Sequence, residues 1–256
     1  MSVVALASAH GAPGVTTTAL ALVSVWPLVR PGRRVLLIDA DPAGSGLLTG
    51  LLSVGIPETA GISVLAAVRP PLTDEQVIGC SVALDDDSDR MVLPGIVDPL
   101  AARPLAAIWT GLLDVARDLS MRGVDVLVDT GRLGHRQEPT PWLTDADVLL
   151  LVGRSDLASV LPTAAAARGL APHRAGRATS IGVVVDPGPY ASGELGTALG
   201  VGEVLTVPRD EWAARVCLRG ARHGVRFDRS PLMRSARALV ERLVELVPEP
   251  GAAVAR

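Results

Sequence analysis

Eight consecutive residues, His10-Gly11-Ala12-Pro13-Gly14-Val15-Thr16-Thr17, join an apolar, β-rich run (residues 3–7) to a helical Ala/Leu/Val pattern. A glycine turn that opens a helix aims several backbone N–H groups at one point, and that geometry binds anions, phosphate above all. The general phosphate-loop pattern is G-x-x-x-x-G-K-[ST], with the Lys on the β- and γ-phosphates and the hydroxyl on magnesium. Gly14 and Thr16 match it, whereas Ala9 stands at the first Gly and Val15 at the Lys. The loop is present in outline and lacks its principal cation.

Carboxylates close three apolar runs further along. Residues 35–38 lead into Asp39-Ala40-Asp41-Pro42, residues 124–128 into Asp129-Thr130-Gly131, and residues 181–185 into Asp186-Pro187-Gly188. An acid that ends a strand beside a phosphate loop can hold a magnesium ion through its waters. Any one of these Asp residues could equally be a cap or a turn former. Their succession behind a strand–turn–helix start is the more specific signal.

The elements that must position these groups follow from the apolar pattern. Residues 3–7, 35–38, 124–128, 148–152, 181–185 and 204–207 are predominantly apolar rather than regularly alternating, as strands covered on both faces are. Helical patterns over 16–28, 105–121, 158–170, 193–199 and 211–219 lie between most of them. This alternation predicts an α/β fold, a doubly wound, mostly parallel sheet flanked by helices, with ligands at the carboxyl ends of the strands. Residues 61–99 are less regular, and Asp85–Asp89 (DDDSD) reads as an exposed turn of an edge hairpin. One domain is expected over residues 1–247, with a frayed tail over 248–256.

Composition narrows the function classes. The chain of 256 residues has a net charge of −3, so no global attraction to nucleic acid or acidic lipid is expected. It contains no lysine, so all 24 basic residues are Arg. Arg in place of Lys would keep a charge at position 15; Val does not. Cys80 and Cys217 fit no metal spacing and read as buried thiols of a reducing, cytoplasmic setting. No signal peptide or spanning segment is read from the apolar runs. Residues 231–247 form an amphipathic helix whose polar face mixes signs and lacks an aromatic anchor, which favours packing on the sheet over a membrane. Arg215, Arg219, Arg222, Arg226 and Arg229 make the densest basic cluster, so a nucleic-acid role is conceivable but not favoured.

Taken together, these motifs resemble the MinD/ParA branch of P-loop ATPases, whose deviant loop reads K-G-G-x-G-K-[ST]. Gly11, Gly14 and Thr16 match that pattern; His10, Ala12 and Val15 depart from it. VLLIDADPAGSG is similar to the family's switch I, VDVLVDTG to its Walker B strand with switch II, VLTVPRD to the border of its base pocket, and SPLMRSARALVERL to its closing helix. Within the family, the loop-degenerate CpaE/TadZ-like proteins of pilus and secretion systems are the nearest resemblance. The resemblance implies ATP and Mg2+ as cofactors, residues 11–17 around the phosphates, and Thr16, Asp39 and Asp129 at the metal. Asp41 would orient the attacking water, and Asp186, Pro208, Arg209 and Asp210 would border the base. His10 stands at the signature lysine, which in the family crosses a nucleotide-sandwich homodimer.

Each lysine contact to phosphate is worth about 1.5–3 kcal/mol. Losing two would weaken triphosphate binding by roughly a hundredfold to ten-thousandfold. Hydrolysis would suffer more, because charge builds up in the transition state. His10, Arg132 or Arg154 could restore part of that charge. The resemblance therefore implies a dimeric, nucleotide-dependent positioning or recruitment factor with weak or absent hydrolysis, serving partitioning, pilus or secretion assembly. A nucleotide-free scaffold, a slow ATPase and a DNA-binding partition protein are the alternatives.

Overall fold

A computed structural model describes residues 3–11, 14–44, 46–53, 55–174, 179–220 and 224–246. The expected tail, Ala12, Pro13 and Arg222 lie outside the described residues. The strands are β1 (Val3–Ser8), β2 (Arg34–Asp39), β3 (Val82–Ala83), β4 (Arg90–Leu93), β5 (Val124–Arg132), β6 (Val148–Arg154), β7 (Thr179–Val185) and β8 (Glu203–Val207). They form one eight-stranded sheet in the order β3-β4-β2-β5-β1-β6-β7-β8. Only β3 runs antiparallel, paired with β4 at the edge. The DDDSD turn joins these two, and Asp85 accepts from the Arg90 guanidinium at 2.8 Å.

The helices are α1 (Val15–Val29), α2 (Ile62–Ala66), α3 (Asp74–Gly79), α4 (Trp109–Met121), α5 (Thr140–Asp145), α6 (Leu157–Arg174), α7 (Ser192–Leu199), α8 (Glu211–Arg219), α9 (Val225–Asp228) and α10 (Pro231–Leu246). Strand residues alternate between two cores. Val4, Leu6, Val35, Leu37 and Leu127 face α1, α8 and α10, whereas Val3, Ala5, Leu36, Ile38, Val126 and Val128 face α4 and α5. Both sets are apolar because helices cover both faces, which explains the apolar runs in the sequence. The amphipathic helix α10 buries Leu232, Met233, Ala236, Leu239, Val240 and Leu243 along α1. No helix among the described residues is long and apolar enough to cross a membrane.

Two boundaries differ from the sequence reading. The helix expected over 105–121 is split, with a 3-10 turn at Pro104–Ala107 before α4 starts at Trp109. β5 continues to Arg132, so Asp129-Thr130-Gly131 belongs to the strand rather than to the loop after it. The extension is held because Thr130 Oγ1 donates to the Leu6 carbonyl at 2.8 Å and the Leu133 amide to that of Ser8 at 2.8 Å.

The start of β5 carries a feature not read from the sequence. Asp125, fully buried, accepts from Trp26 Nε1 (2.9 Å), Arg30 Nη1 (2.8 Å) and Arg33 Nε and Nη2 (2.9 and 2.7 Å). A buried carboxylate is tolerated when its lone pairs are filled, as here. It clamps the end of α1 and the turn before β2 to β5. Asp125→Ala removes the acceptor that these donors share, and the expected cost is about 3–5 kcal/mol, read as a lower denaturant midpoint; a loss under about 1 kcal/mol would contradict the clamp.

Candidate functional site

Helix α1 begins at Gly14, whose φ of 106° is left-handed and suits glycine. Among the described residues no side chain caps this end, and no acid lies in the first turn. The first intrahelical bond is from the Thr18 amide to the Gly14 carbonyl, and among the described residues the amides of residues 15–17 meet no acceptor. An uncapped helix N-terminus at the carboxyl edge of a parallel sheet is an anion site by construction.

Thr16 Oγ1 donates to Asp129 Oδ2 at 2.6 Å, joining the first turn of α1 to the end of β5. Asp129 is fully buried and also accepts the Gly131 amide at 2.9 Å. Burial pushes its carboxyl up from 3.8 to about 6; the Thr16 and Gly131 hydrogen bonds pull it back in part, and the Asp41 charge adds to the rise. Asp41 itself leans on Gly131: a Cβ there would overlap its carboxylate, and φ at 131 is a left-handed 67°. The left-handed φ is what favours glycine at 131, and a larger residue would also have to displace the Asp41 carboxylate. Asp41 Oδ1 also accepts the Ala43 amide at 2.8 Å, which fixes the turn after β2.

Asp39 is the register partner of Asp129 on the neighbouring strand and is 1% exposed. Its carboxylate lies against the backbone of Gly95, in the loop after β4. Val15 is 7% exposed and packs into the core shared by α1 and α10, so its side chain brings neither charge nor donor to the loop. His10 and Gly11 are exposed at the end of β1.

The base-pocket candidates converge on a cleft beside the same helix end. A cavity of about 260 Å³ is lined by Gly14, Thr17 and Thr18 of α1, Arg154 of β6, Asp186 after β7 and Pro208–Glu211 after β8. Asp210 caps α8 by accepting the Ala213 amide at 3.0 Å, while its other oxygen, Oδ2, is buried with no partner among the described residues. Arg209 pairs with Glu211 at 2.7 Å. The unpaired oxygen of Asp210 was not foreseen, because a cap and a ligand contact look alike in sequence.

These residues fit a phosphate-bearing ligand and a divalent cation in most respects. The amides fit the anion, and Thr16 and Asp129 supply oxygens that suit a hard cation. Among the described residues no three His, Cys, Asp or Glu converge, so water and phosphate would complete its shell. The departure is at Val15. In the basic cluster weighed for nucleic acid, the Arg226 guanidinium lies 4.4 Å from the Trp212 ring centre, and Arg215 Nε donates to the Glu211 carbonyl. Burial lifts the Cys217 thiol to about 12 and raises that of Cys80, leaving both unreactive.

The sign of the Asp129 shift gives a stability prediction. A carboxyl raised on folding favours the protonated fold, so its contribution is fully present below pH 3.8 and lost as pH rises through about 6. The loss amounts to roughly 3 kcal/mol. Asp129→Asn cannot ionise, so the ligand-free variant is expected to be more stable than wild type near neutral pH and to lose the slope between these two pH values. Denaturant melts across that range test it, and unchanged slopes would refute it.

No protein-family model and no curated protein sequence matches the chain. Solved structures do. The ParA family ATPase from Chlorobium tepidum TLS superposes with a TM-score of 0.72 at 17% identity, covering 94% of this chain and 98% of that one. MinD of Aquifex aeolicus in its complex with MinC gives 0.70 at 16% identity, covering 97% and 98%. A variant of McdA from Cyanothece in complex with ATP gives 0.71 at 16% identity, with the same coverage. At these identities the likeness is one of architecture, and the chain has the MinD/ParA type of P-loop ATPase fold.

Proposed function

We propose that this chain is a MinD/ParA-like ATP-binding protein that acts as a homodimeric positioning or recruitment factor in partitioning, pilus or secretion assembly, with hydrolysis weak or absent. The observation that carries the reading is the contact of Thr16 Oγ1 with the buried Asp129 at an uncapped helix N-terminus. That is an arrangement for a phosphate and a cation, and the solved structure of McdA with ATP shares the fold around it. The MinD complex with MinC is the precedent for a recruited protein partner.

In this reading the amides of residues 14–17 hold the phosphates, and Thr16 and Asp129 hold Mg2+, with Asp39 supporting them from the next strand. Ala12 and Pro13 would complete the loop. The bound ion would offset the negative charge of the phosphates and of the Asp129–Asp41 pair. Asp41 orients water at the open side of the site, and Asp186 with Pro208–Asp210 borders the base. Binding survives because the amides and the helix end remain, while hydrolysis fades because no ammonium group meets the charge that grows during phosphoryl transfer. The CpaE/TadZ-like placement follows from the same loss. A nucleotide-free scaffold is the second reading, favoured by one observation: Val15 is an integral core residue, as a merely structural turn would have it.

Calorimetric titration separates the two. ATP with Mg2+ is expected to bind saturably, and Thr16→Ala to lose at least about tenfold of the magnesium-dependent affinity. Asp41→Ala is expected to keep the affinity and to bring any residual phosphate release to background. No heat with the wild-type protein would leave the scaffold standing.

A further inference from the structure

We infer that Arg154 is a cation that binds the ligand's phosphate chain, a contact separate from the one that is missing at Val15. This rests on the nucleotide-binding reading above. Arg154 ends β6, and β6 lies beside β1, the strand that leads into the loop. It lines the same cavity as Gly14 and Thr17, at the end of α1 that no side chain of the described residues caps. Arg209, the other arginine of this lining, follows β8, two strands further from the loop, and its Nη2 is already paired with Glu211. Arg132, at the end of β5, is exposed and takes no part in the lining.

The local chemistry prepares Arg154 for an anion. Its amide donates to Ser159 Oγ at 2.8 Å, which fixes the backbone where β6 turns into α6. Its Nε lies 3.1 Å from Asp156 Oδ2, and no other ion pair or hydrogen bond of this side chain forms among the described residues. A guanidinium held at Nε keeps its two Nη groups as a fork, the geometry that grips phosphate oxygens in pairs. The group is half-exposed, so an exposed pair with Asp156 stabilises the fold little and does not by itself account for the arrangement. Arg154 borders the cavity from the end of β6, whereas Val15 stands in the first turn of α1 with its side chain in the core. It therefore reinforces binding of the phosphate chain without occupying the lysine's place at the transferred group. That agrees with a protein which binds nucleotide and hydrolyses it poorly.

The test is titration of wild type, Arg154→Ala, Arg154→Lys and Arg168→Ala with a fluorescent ATP analogue in magnesium, at roughly 0.05 and 0.3 M salt. Arg168 is exposed on α6 and away from the cleft lining, so its loss controls for one unit of net charge. Arg154→Ala is expected to weaken binding about ten- to a hundredfold and to flatten its salt dependence. Arg154→Lys should recover part of the affinity, and Arg168→Ala should match wild type. Should Arg154→Ala not fold, Arg154→Gln carries the same comparison. Wild-type binding with Arg154→Ala unchanged would overturn this inference alone, whereas no binding by wild type would overturn it together with the nucleotide reading.

Discussion

The seam between α1 and β5 sets everything else in this fold. It is tied at both ends by carboxylates of one strand, Asp125 at the start and Asp129 at the end. Their side chains reach the same face because two and four residues along a strand keep the same side. The strand covers about 13 Å between them, and the stretch of α1 from Thr16 to Trp26 covers about 15 Å. The two spans nearly match, so helix and strand are stapled in one register. Asp125 closes the far end with donors that fill it, Trp26, Arg30 and Arg33. Asp129 closes the near end with a single hydroxyl and an amide, leaving it short of compensation.

That inequality separates structure from function along one strand. Both carboxylates are buried, and burial penalises charge in each. At Asp125 two guanidinium groups supply the opposite charge. At Asp129 no cation of the described residues does, and its carboxyl is pushed up to about 6. The site end of the strand thus carries an electrostatic cost that the fold does not relieve by itself. Unrelieved burial of this kind marks candidate functional positions more often than structural ones.

The sequence made some of these parts legible and hid others for definite reasons. Apolar runs gave the sheet, since covering both faces leaves a pattern that composition cannot mimic. Asp39, Asp41 and Asp129 stood out because each closes such a run. Asp125 did not, because it sits inside VDVLV, where alternation with Val looks like an ordinary strand; its partners lie 92, 95 and 99 residues away in sequence. The length of β5 was missed because Thr130 and Gly131 read as turn formers, and only the bonds to Leu6 and Ser8 reveal that the strand continues. Gly131 carries no sign in the sequence of its left-handed φ or of the Asp41 carboxylate that lies against it. Spacing locates a residue on its own element and says nothing of which distant backbone leans on it.

The missing ammonium at position 15 gains meaning from this geometry. Val15 is a core residue, and its methyls fill space between α1 and its neighbours. A lysine here would spend its stem in the same packing and send its head to the loop, as long cationic side chains do. Valine keeps the packing half of that dual role and drops the charge half. The fold therefore does not need the lysine; only the chemistry does. The chain thus keeps the hydroxyl of Thr16, the buried Asp129 and the Asp41–Gly131 contact while it has no charge at position 15. Packing alone accounts for Val15, but it does not account for Asp129, a buried carboxylate whose partners among the described residues are one hydroxyl and one amide. A buried acid that no cation of the described residues meets, at the end of a central strand and beside an uncapped helix end, is the feature that makes this edge of the sheet a candidate site.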